Sequence, residues 1–344
     1  MKIIPSSVKI LDNDWSIKGI FRAVERAGRT CYKSVGTRYF RLPEGPENSL
    51  ESNLIKQAQS DPNVVCKKGP SFDSAYYISI PNKFIKNYLN IEQFDEEEFD
   101  NSPYYENLTA ESFVEMLTKS GHGAMLEHGT VYLDCPENIF KKYNSNKFSK
   151  GVIINTGETR GEGIYTITIY KYYITTNLRV LIENDWLDDL KYVCEPTEYH
   201  AKRITAKFIC DRGVSHEIVR HRVMSFAQES TRYCNYSKDK FGQELTFIEP
   251  AWEFPSSDIV NTKERFEAML SEAEANYMEL ITLGFKPQEA RAILPNALKT
   301  EIVVTGFIDD WKHFFELRCN NAAHPDIRKL AIDLYNQFID RKFI

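Results

Sequence analysis

The fifteen residues VRHRVMSFAQESTRY, Val219–Tyr233, constrain the fold more than any other stretch of the chain. Arg220, His221, Arg222 and Arg232 crowd together, Glu229 is the one acid among them, and Ser225, Ser230 and Thr231 add hydroxyls. Like charges held this close repel one another unless something anionic sits among them. The chain must therefore fold so that the segment meets either carboxylates from elsewhere or an anionic ligand. Arginine's planar fork suits bidentate contact with phosphate, and hydroxyls with backbone N–H groups can complete a cradle. The plainer reading is a basic helix end paired with distant acids, which is a common arrangement. The segment alone leaves both readings open.

Composition narrows the choice of ligand. Lys and Arg number 43 against 49 Asp and Glu, a formal charge of −6, so a basic cluster here points to a focused anion site rather than a nucleic-acid surface. Hydrophobic residues at 42% suffice for a core without disulfides. The seven cysteines (Cys31, Cys66, Cys135, Cys194, Cys210, Cys234, Cys319) are scattered, with no CxxC pair, the pattern of reduced thiols rather than a zinc site. His122 and His128 are six apart, outside the i, i+4 spacing of a helical metal pair, so no metal is expected. MKIIPSSVKILDND lacks an apolar leader core and no run reaches membrane-spanning length; a soluble, cytoplasmic protein without membrane or nucleic-acid partners is expected.

Periodicity sketches an α/β (α+β) chain. VKIL is a strand candidate, and Ser16 or Asp14 can cap a helix carrying Ile17, Ile20, Phe21 and Val24. Residues 35–110 are irregular, with Pro43, Pro46, Pro62, Pro70 and Pro81 among them and the acidic run QFDEEEFDN, read as a solvated loop or helix face. ESFVEMLTKSG predicts an amphipathic helix with Phe113, Met116 and Leu117 on one face and Gly121 as its stop. GTVYLD predicts a strand. VIINTGETRGEGIYTITIYKYYITTN predicts a hairpin, with Ile167 and Ile169 alternating against Thr166 and Thr168, and Gly161 and Gly163 at the turn. GETRGEG lacks the order of a phosphate loop and precedes a strand. Tyr199–Arg222 reads as helical through Ile204, Phe208, Val214 and Ile218. A long helix follows, with Phe266, Leu270, Ala273, Tyr277 and Leu280 as its stripe and Gly284 at its end; Pro287 opens the next. DDWKHFFELR and PDIRKLAIDLYNQFI close the chain, the latter with Ile327, Leu330, Leu334 and Phe338 on one face. Trp311 and Phe315 at helical spacing read as core.

The order RHR, seven residues, Ser, then Arg and Tyr (Arg220-His221-Arg222, Ser230, Arg232, Tyr233) resembles the signature of the flavin-dependent thymidylate synthases. AGRTCYKS, KSGHGAMLEH, EARAILP and WKHFFELR resemble further segments of that family, in its order. The resemblance covers roughly residues 10–34, 111–134 and 200–338, and leaves about 35–110 and 136–198 as insertions in a single domain spanning 1–344. It implies the family's fold, a mainly antiparallel central sheet flanked by helices, here with an inserted β-hairpin region. It implies reductive methylation of dUMP to dTMP, with methylenetetrahydrofolate as carbon donor, FAD as hydride carrier and NADPH as its reductant. It also implies a homotetramer whose sites form where subunits meet.

By the same resemblance, Arg220, His221 and Arg222 would contact FAD, Arg220 also lying near the nucleotide. Glu217 matches a substrate-contacting position. Gln228, Glu229, Ser230, Thr231 and Arg232 would form the dUMP loop, with Ser230 and Arg232 at its phosphate and Arg291 reaching it from a neighbouring subunit. Gln228 and His313 also fall at flavin-side positions. Arg318 matches the arginine that polarises the uracil ring, and His122 the histidine at the folate side, although a helix-end cap is its plainer role. Glu127 is a flavin or structural carboxylate, and His128 reads as structural. Cys31, Ala124, Phe307, Asp309 and His313 depart from residues common in the family, which touches individual flavin contacts rather than the reaction. Cys234 and Cys319 flank site segments, yet no cysteine nucleophile is expected. Two further readings stand beside this one: a flavin reductase without methyl transfer, and a non-catalytic nucleotide- or RNA-binding module.

Overall fold

The stretch expected as one helix over 199–222 is a strand followed by a short helix, and this difference organises the molecule. In Arg203–Asp211 the side chains of Ile204, Ala206, Phe208 and Cys210 are buried on one face at a period of two. Asp211 then turns the chain: its carboxylate accepts from the Val214 amide at 2.8 Å and caps the helix Arg212–Ile218. The computed structural model describes residues 1–34, 109–157, 169–232, 234–238 and 242–344, the backbone of 37–41, 77–81 and 105–106, and residues 56, 57 and 60. Gly161, Gly163, Thr166, Ile167, Thr168, Tyr233, Cys66 and the acidic run lie outside the described residues.

The chain divides into two compact units, Met1–Lys33 with Ser120–Ile344, and Ser34–Lys119. The first expected insertion falls in the second unit, and the hairpin region falls in the first. The second unit holds a three-stranded antiparallel sheet, with β3 (Thr37–Arg41) between β4 (Tyr77–Pro81) and β5 (Tyr105–Glu106), and helix α2 (Ala110–Lys119). The buried face of α2 is Ala110, Val114 and Leu117, spaced i, i+4, i+7; of the expected Phe113, Met116 and Leu117, Leu117 is buried, Phe113 is half-buried, and Met116 is exposed because it lies round the helix from that stripe. Gly121 at φ +73 follows as the stop.

The first unit is built on a four-stranded antiparallel sheet, ordered β10 (Ser225–Gln228), β12 (Lys299–Phe307), β9 (Arg203–Asp211), β2 (Ser7–Leu11). The mainly antiparallel sheet flanked by helices is thus as expected. The face with Ile10, Ile204, Phe208, Ile302 and Val304 packs on α9 (Ile308–Arg318) and α10 (Pro325–Asp340). Trp311 and Phe315 are core, as are Ile327, Leu330, Leu334 and Phe338; the Trp311 indole N–H donates to the Ile204 carbonyl at 3.1 Å. Fully burying each such side chain contributes about 1.5–3 kcal/mol. Leu334→Ala would therefore cost roughly 2–5 kcal/mol and loosen the helix that backs the site. The opposite face carries Lys207, Glu301, Lys299, Thr205, Thr305 and Ser225, and α1 (Ile17–Tyr32) lies against its β10–β12 side.

Ser16 caps α1 by accepting from the Gly19 amide at 3.1 Å, while Asp14 accepts from Ser16. A Cβ at Gly19 would sit 2.0 Å from the Asp14 carbonyl oxygen, so this entry turn admits only glycine. The hairpin arms pair as expected, β7 (Lys150–Asn155) antiparallel with β8 (Tyr170–Asn177), and β6 (Thr130–Cys135) flanks β8. The long helix (Thr262–Thr282) is capped by Asn261 and stops before Gly284, φ +95. Pro287 opens Pro287–Ala290, whose Glu289 reaches back to the Lys286 amide at 2.9 Å and so sets the start of Arg291.

Candidate functional site

Two groups of the expected residues gather at opposite ends of β10. The first surrounds a cavity of about 480 Å³ lined by Arg220, His221, Arg222, Val223, Asp310, His313, Leu317 and Arg318. Residues 219–224 form the turn between the helix Arg212–Ile218 and β10, and α9 closes the other wall along its length, from Asp310 to Arg318. Arg318 is the hub. Its Nη1 donates to Glu217 Oε2 at 2.7 Å, Nη2 to the Glu217 carbonyl at 3.1 Å, and Nε to His221 Nε2 at 3.1 Å. An Nε2 that accepts must carry a lone pair, so the ring proton sits on Nδ1. The His221 pKa is pushed down to about 4 by burial first, then by the Arg318 charge and by His313. His221 is accordingly neutral at physiological pH and is wedged edge-on against Phe314, ring centroids 5.0 Å apart. Arg220 and Arg222 are exposed and line the cavity, while His313 pairs with Glu316 at 3.5 Å. With Arg318 they outnumber Glu217 and Asp310, so the cavity favours an anion.

The second group follows β10. Gln228 donates to the Ser215 hydroxyl at 2.8 Å and to Thr300 at 3.3 Å, which ties the strand end to the helix Arg212–Ile218. Glu229 is 2% exposed. Its Oε1 accepts from Lys33 Nζ and Tyr236 OH, each at 3.1 Å, and its Oε2 from Lys299 Nζ at 3.1 Å. Ser230 donates its amide to the Cys31 carbonyl at 3.0 Å, and its hydroxyl accepts from the Arg232 amide at 3.4 Å. Thr231 is buried, and its hydroxyl accepts from Arg291 Nη1 of the same chain at 3.1 Å. Arg232 is exposed. The four residues of β10 separate the two groups by roughly 13 Å of extended chain.

A third set lies at the start of β10. Glu127 Oε2 accepts from the Ser225 hydroxyl at 2.7 Å and Oε1 from Arg179 at 2.6 Å. Arg203, wholly buried, donates to the Glu127 carbonyl, Thr130 and Ser225. His128 is structural, as expected: it is buried, bonds the Thr305 hydroxyl at 2.8 Å, and is held down to about 3 by burial first and the Arg203 charge second. His122 is exposed at the start of the short helix Gly123–Leu126, hydrogen-bonded through Nδ1 to the Tyr32 hydroxyl, whose ring lies 5.8 Å away. At the departing positions, Lys150 from β7 sits 4.3 Å from the Phe307 ring centroid and 3.3 Å from Asp309, so the hairpin region touches the first turn of α9. Burial raises the thiol pKa of Cys31 and Cys319, which argues against either as a thiolate.

Sequence reasoning missed Lys33, Lys299, Tyr236, Arg203 and Asp310. Lys299 and Arg203 carry no local signal for these roles, because Glu229 lies 70 residues from Lys299 and Glu127 lies 76 residues from Arg203 along the chain. Among the described residues, no group of three His, Cys, Asp or Glu is placed to hold a metal, and no helix is long and apolar enough to cross a membrane.

Residues 197–341 match the Thy1 family model, described as thymidylate synthase complementing protein. A flavin-dependent thymidylate synthase from Geobacter sulfurreducens is 35% identical over 125 residues, covering 36% of this chain and 50% of that protein. One from Pyrococcus furiosus is 33% identical over 132 residues, covering 38% and 52%. The chain thus spans about half the length of these curated relatives. Among solved structures, a UMP/dUMP methylase PolB from Streptomyces cacaoi bound with 5-Br dUMP is 18% identical, with 40% of this chain and 66% of that one covered and a TM-score of 0.34. A flavin dependent thymidylate synthase ThyX from Helicobacter pylori complexed with FAD and dUMP is 22% identical, with 39% and 66% covered and a TM-score of 0.30.

Proposed function

We propose that this chain, whose residues 197–341 are similar to the Thy1 family, works as a flavin-dependent thymidylate synthase that converts dUMP to dTMP. The observation that carries the reading is the Arg318–Glu217–His221 network set in a cationic cavity beside the RHR-x7-S segment. FAD fits the donor set: Arg220 and Arg222 offer exposed guanidinium forks to its pyrophosphate, and neutral His221 offers a polar edge without adding charge. The cavity volume lies within the range of small-molecule sites. Bound FAD would supply the hydride, NADPH would restore it, and methylenetetrahydrofolate would supply the carbon.

The protein's own contribution is positioning and charge. Arg232 and the Ser230 hydroxyl would hold the dUMP phosphate, with Arg291 beside them. Arg318, its fork fixed by Glu217 and His221, would donate to a uracil carbonyl and stabilise the negative charge that builds on the ring. Glu217 would meet the same ring, and His122 would stand at the folate side with Tyr32 fixing its imidazole. Glu127, held by Ser225 and Arg179, would back the flavin side, where Gln228 and His313 were also expected. Because β10 separates the phosphate loop from the cavity, a complete site would draw on neighbouring subunits, as in a homotetramer. Purified protein should be yellow, sediment as a tetramer, and release tritium from 5-tritiated dUMP only with folate donor and reduced flavin. A yellow protein that oxidises NADPH without forming dTMP would be a flavin reductase. A colourless protein that binds RNA with steep salt dependence would be a binding module.

A further inference from the structure

We propose that Lys299, with Lys33, is a positioning residue for the phosphate loop Ser230–Arg232, acting through the buried carboxylate of Glu229. This rests on the reading of that loop as the dUMP phosphate site. The family resemblance put Glu229 among the substrate ligands, but its carboxylate is enclosed and each oxygen already accepts from an amine, Lys33 on one and Lys299 on the other. It therefore serves the loop from behind. Five charges alternate across the polar face of the sheet: Lys207 pairs with Glu301 at 2.7 Å, Glu301 with Lys299, Lys299 with Glu229 at 3.1 Å, and Glu229 with Lys33 at 3.1 Å. Alternation lets each buried carboxylate keep two cations, which offsets the cost of taking it out of water.

The geometry ties the loop on three sides. Lys299 opens β12, so its bond fixes Glu229 to the sheet where the last β10–β12 ladder bond, from the Glu229 amide to the Glu301 carbonyl, ends at 2.8 Å. Lys33 closes α1 in a left-handed conformation, φ 45°, two residues after the Cys31 carbonyl that receives the Ser230 amide. Tyr236 reaches Glu229 from beyond the loop, and the Cys234 amide returns to the Ser230 carbonyl at 3.1 Å. Sheet, helix end and outgoing chain meet on one carboxylate, directly before the residues that would grip the phosphate.

The test compares Lys299→Met, Lys33→Met and Lys207→Met in the full chain. Lys207 belongs to the same run of charges but does not touch Glu229, so its variant reports the general cost of breaking the network. Lys299→Met should weaken equilibrium dUMP binding and raise KM roughly tenfold, with kcat at saturating dUMP within about twofold, because the loop is misplaced while the cavity is untouched. Amide exchange at Ser230 and Cys234, measured without ligand, should quicken. Lys33→Met should do the same to a smaller degree, and Lys207→Met should do neither. Lys33 is 33% exposed, so its variant carries the test alone should Lys299→Met fail to fold. The proposal is overturned if folded Lys299 and Lys33 variants keep dUMP affinity and exchange within twofold of the parent, or if Lys207→Met matches them. If the parent binds no dUMP while exchange still quickens, the functional reading falls and the brace stands.

Discussion

Replacing Arg318 with alanine removes three donated hydrogen bonds at once, two to Glu217 and one to His221. The structure lets the consequences be separated. Hydrogen bonds to charged groups contribute about 1.5–3 kcal/mol each when buried. Arg318 is 17% exposed but Glu217 is 31% exposed, so the freed carboxylate regains water and the stability cost should fall near ~2 kcal/mol. Domains of ordinary stability, about 5–15 kcal/mol, stay folded after such a loss. Turnover should suffer more: losing a preorganised donor aimed at developing charge costs on the order of 10²–10³ in kcat, about 2.7–4 kcal/mol. His221 supplies an internal check. Burial is the larger cause of its depressed pKa and the Arg318 charge the next, so its midpoint should rise from about 4 yet stay below the ordinary imidazole value. Tritium release at saturating dUMP, denaturant unfolding and a ring-carbon NMR titration of His221 measure the three quantities. A variant that keeps kcat within twofold of the parent, or whose His221 midpoint does not move, would refute the assignment of Arg318.

Other outcomes test the remaining contacts. Arg232→Ala should raise the dUMP KM roughly tenfold, about 1.4 kcal/mol, and Ser230→Ala by less, with kcat retained; unchanged KM removes Arg232 from the phosphate site. His128 has its folded pKa held near 3, below the value of 6.5 it has in an unfolded chain, so the unfolded state binds the extra proton between those values. Its burden on stability is absent above pH 6.5 and grows as pH falls, reaching about 2 kcal/mol by about pH 5. His128→Gln should therefore lose stability less steeply than the parent between pH 7.5 and 5 in denaturant melts, and equal slopes would contradict the burial argument. Single Cys→Ala changes at Cys31, Cys234 and Cys319 should each retain dUMP-dependent turnover; complete loss in any one would restore a thiolate mechanism.

How far the chain could be read before folding depended on the range of each interaction. The stripe Ile327, Leu330, Leu334, Phe338 and the long helix ending before Gly284 were legible because helical spacing, caps and stops are local. Arg203–Asp211 misled because Ile204 and Phe208 stand four apart, which satisfies a helix; the alternation that marks the strand runs through Ala206 and Cys210, whose small side chains signal burial weakly. Met116 misled likewise, since it stands three residues from Phe113 and next to Leu117 but the packed face passes through Val114.

At the candidate site the same division holds. RHR-x7-S lies within the eleven residues Arg220–Ser230, so its presence, its charge and the family it resembles were set by the order of residues alone. Which of those side chains face a ligand was decided elsewhere. His221 is neutral because a helix 97 residues away brings Arg318 and buried rings against it. Glu229 is enclosed because Lys33 and Lys299, 196 and 70 residues distant, meet across α1 and the sheet. Local order can specify which charges are near in the chain, but desolvation and Coulomb interaction depend on distance in space, and only the packed sheet and helices set those distances.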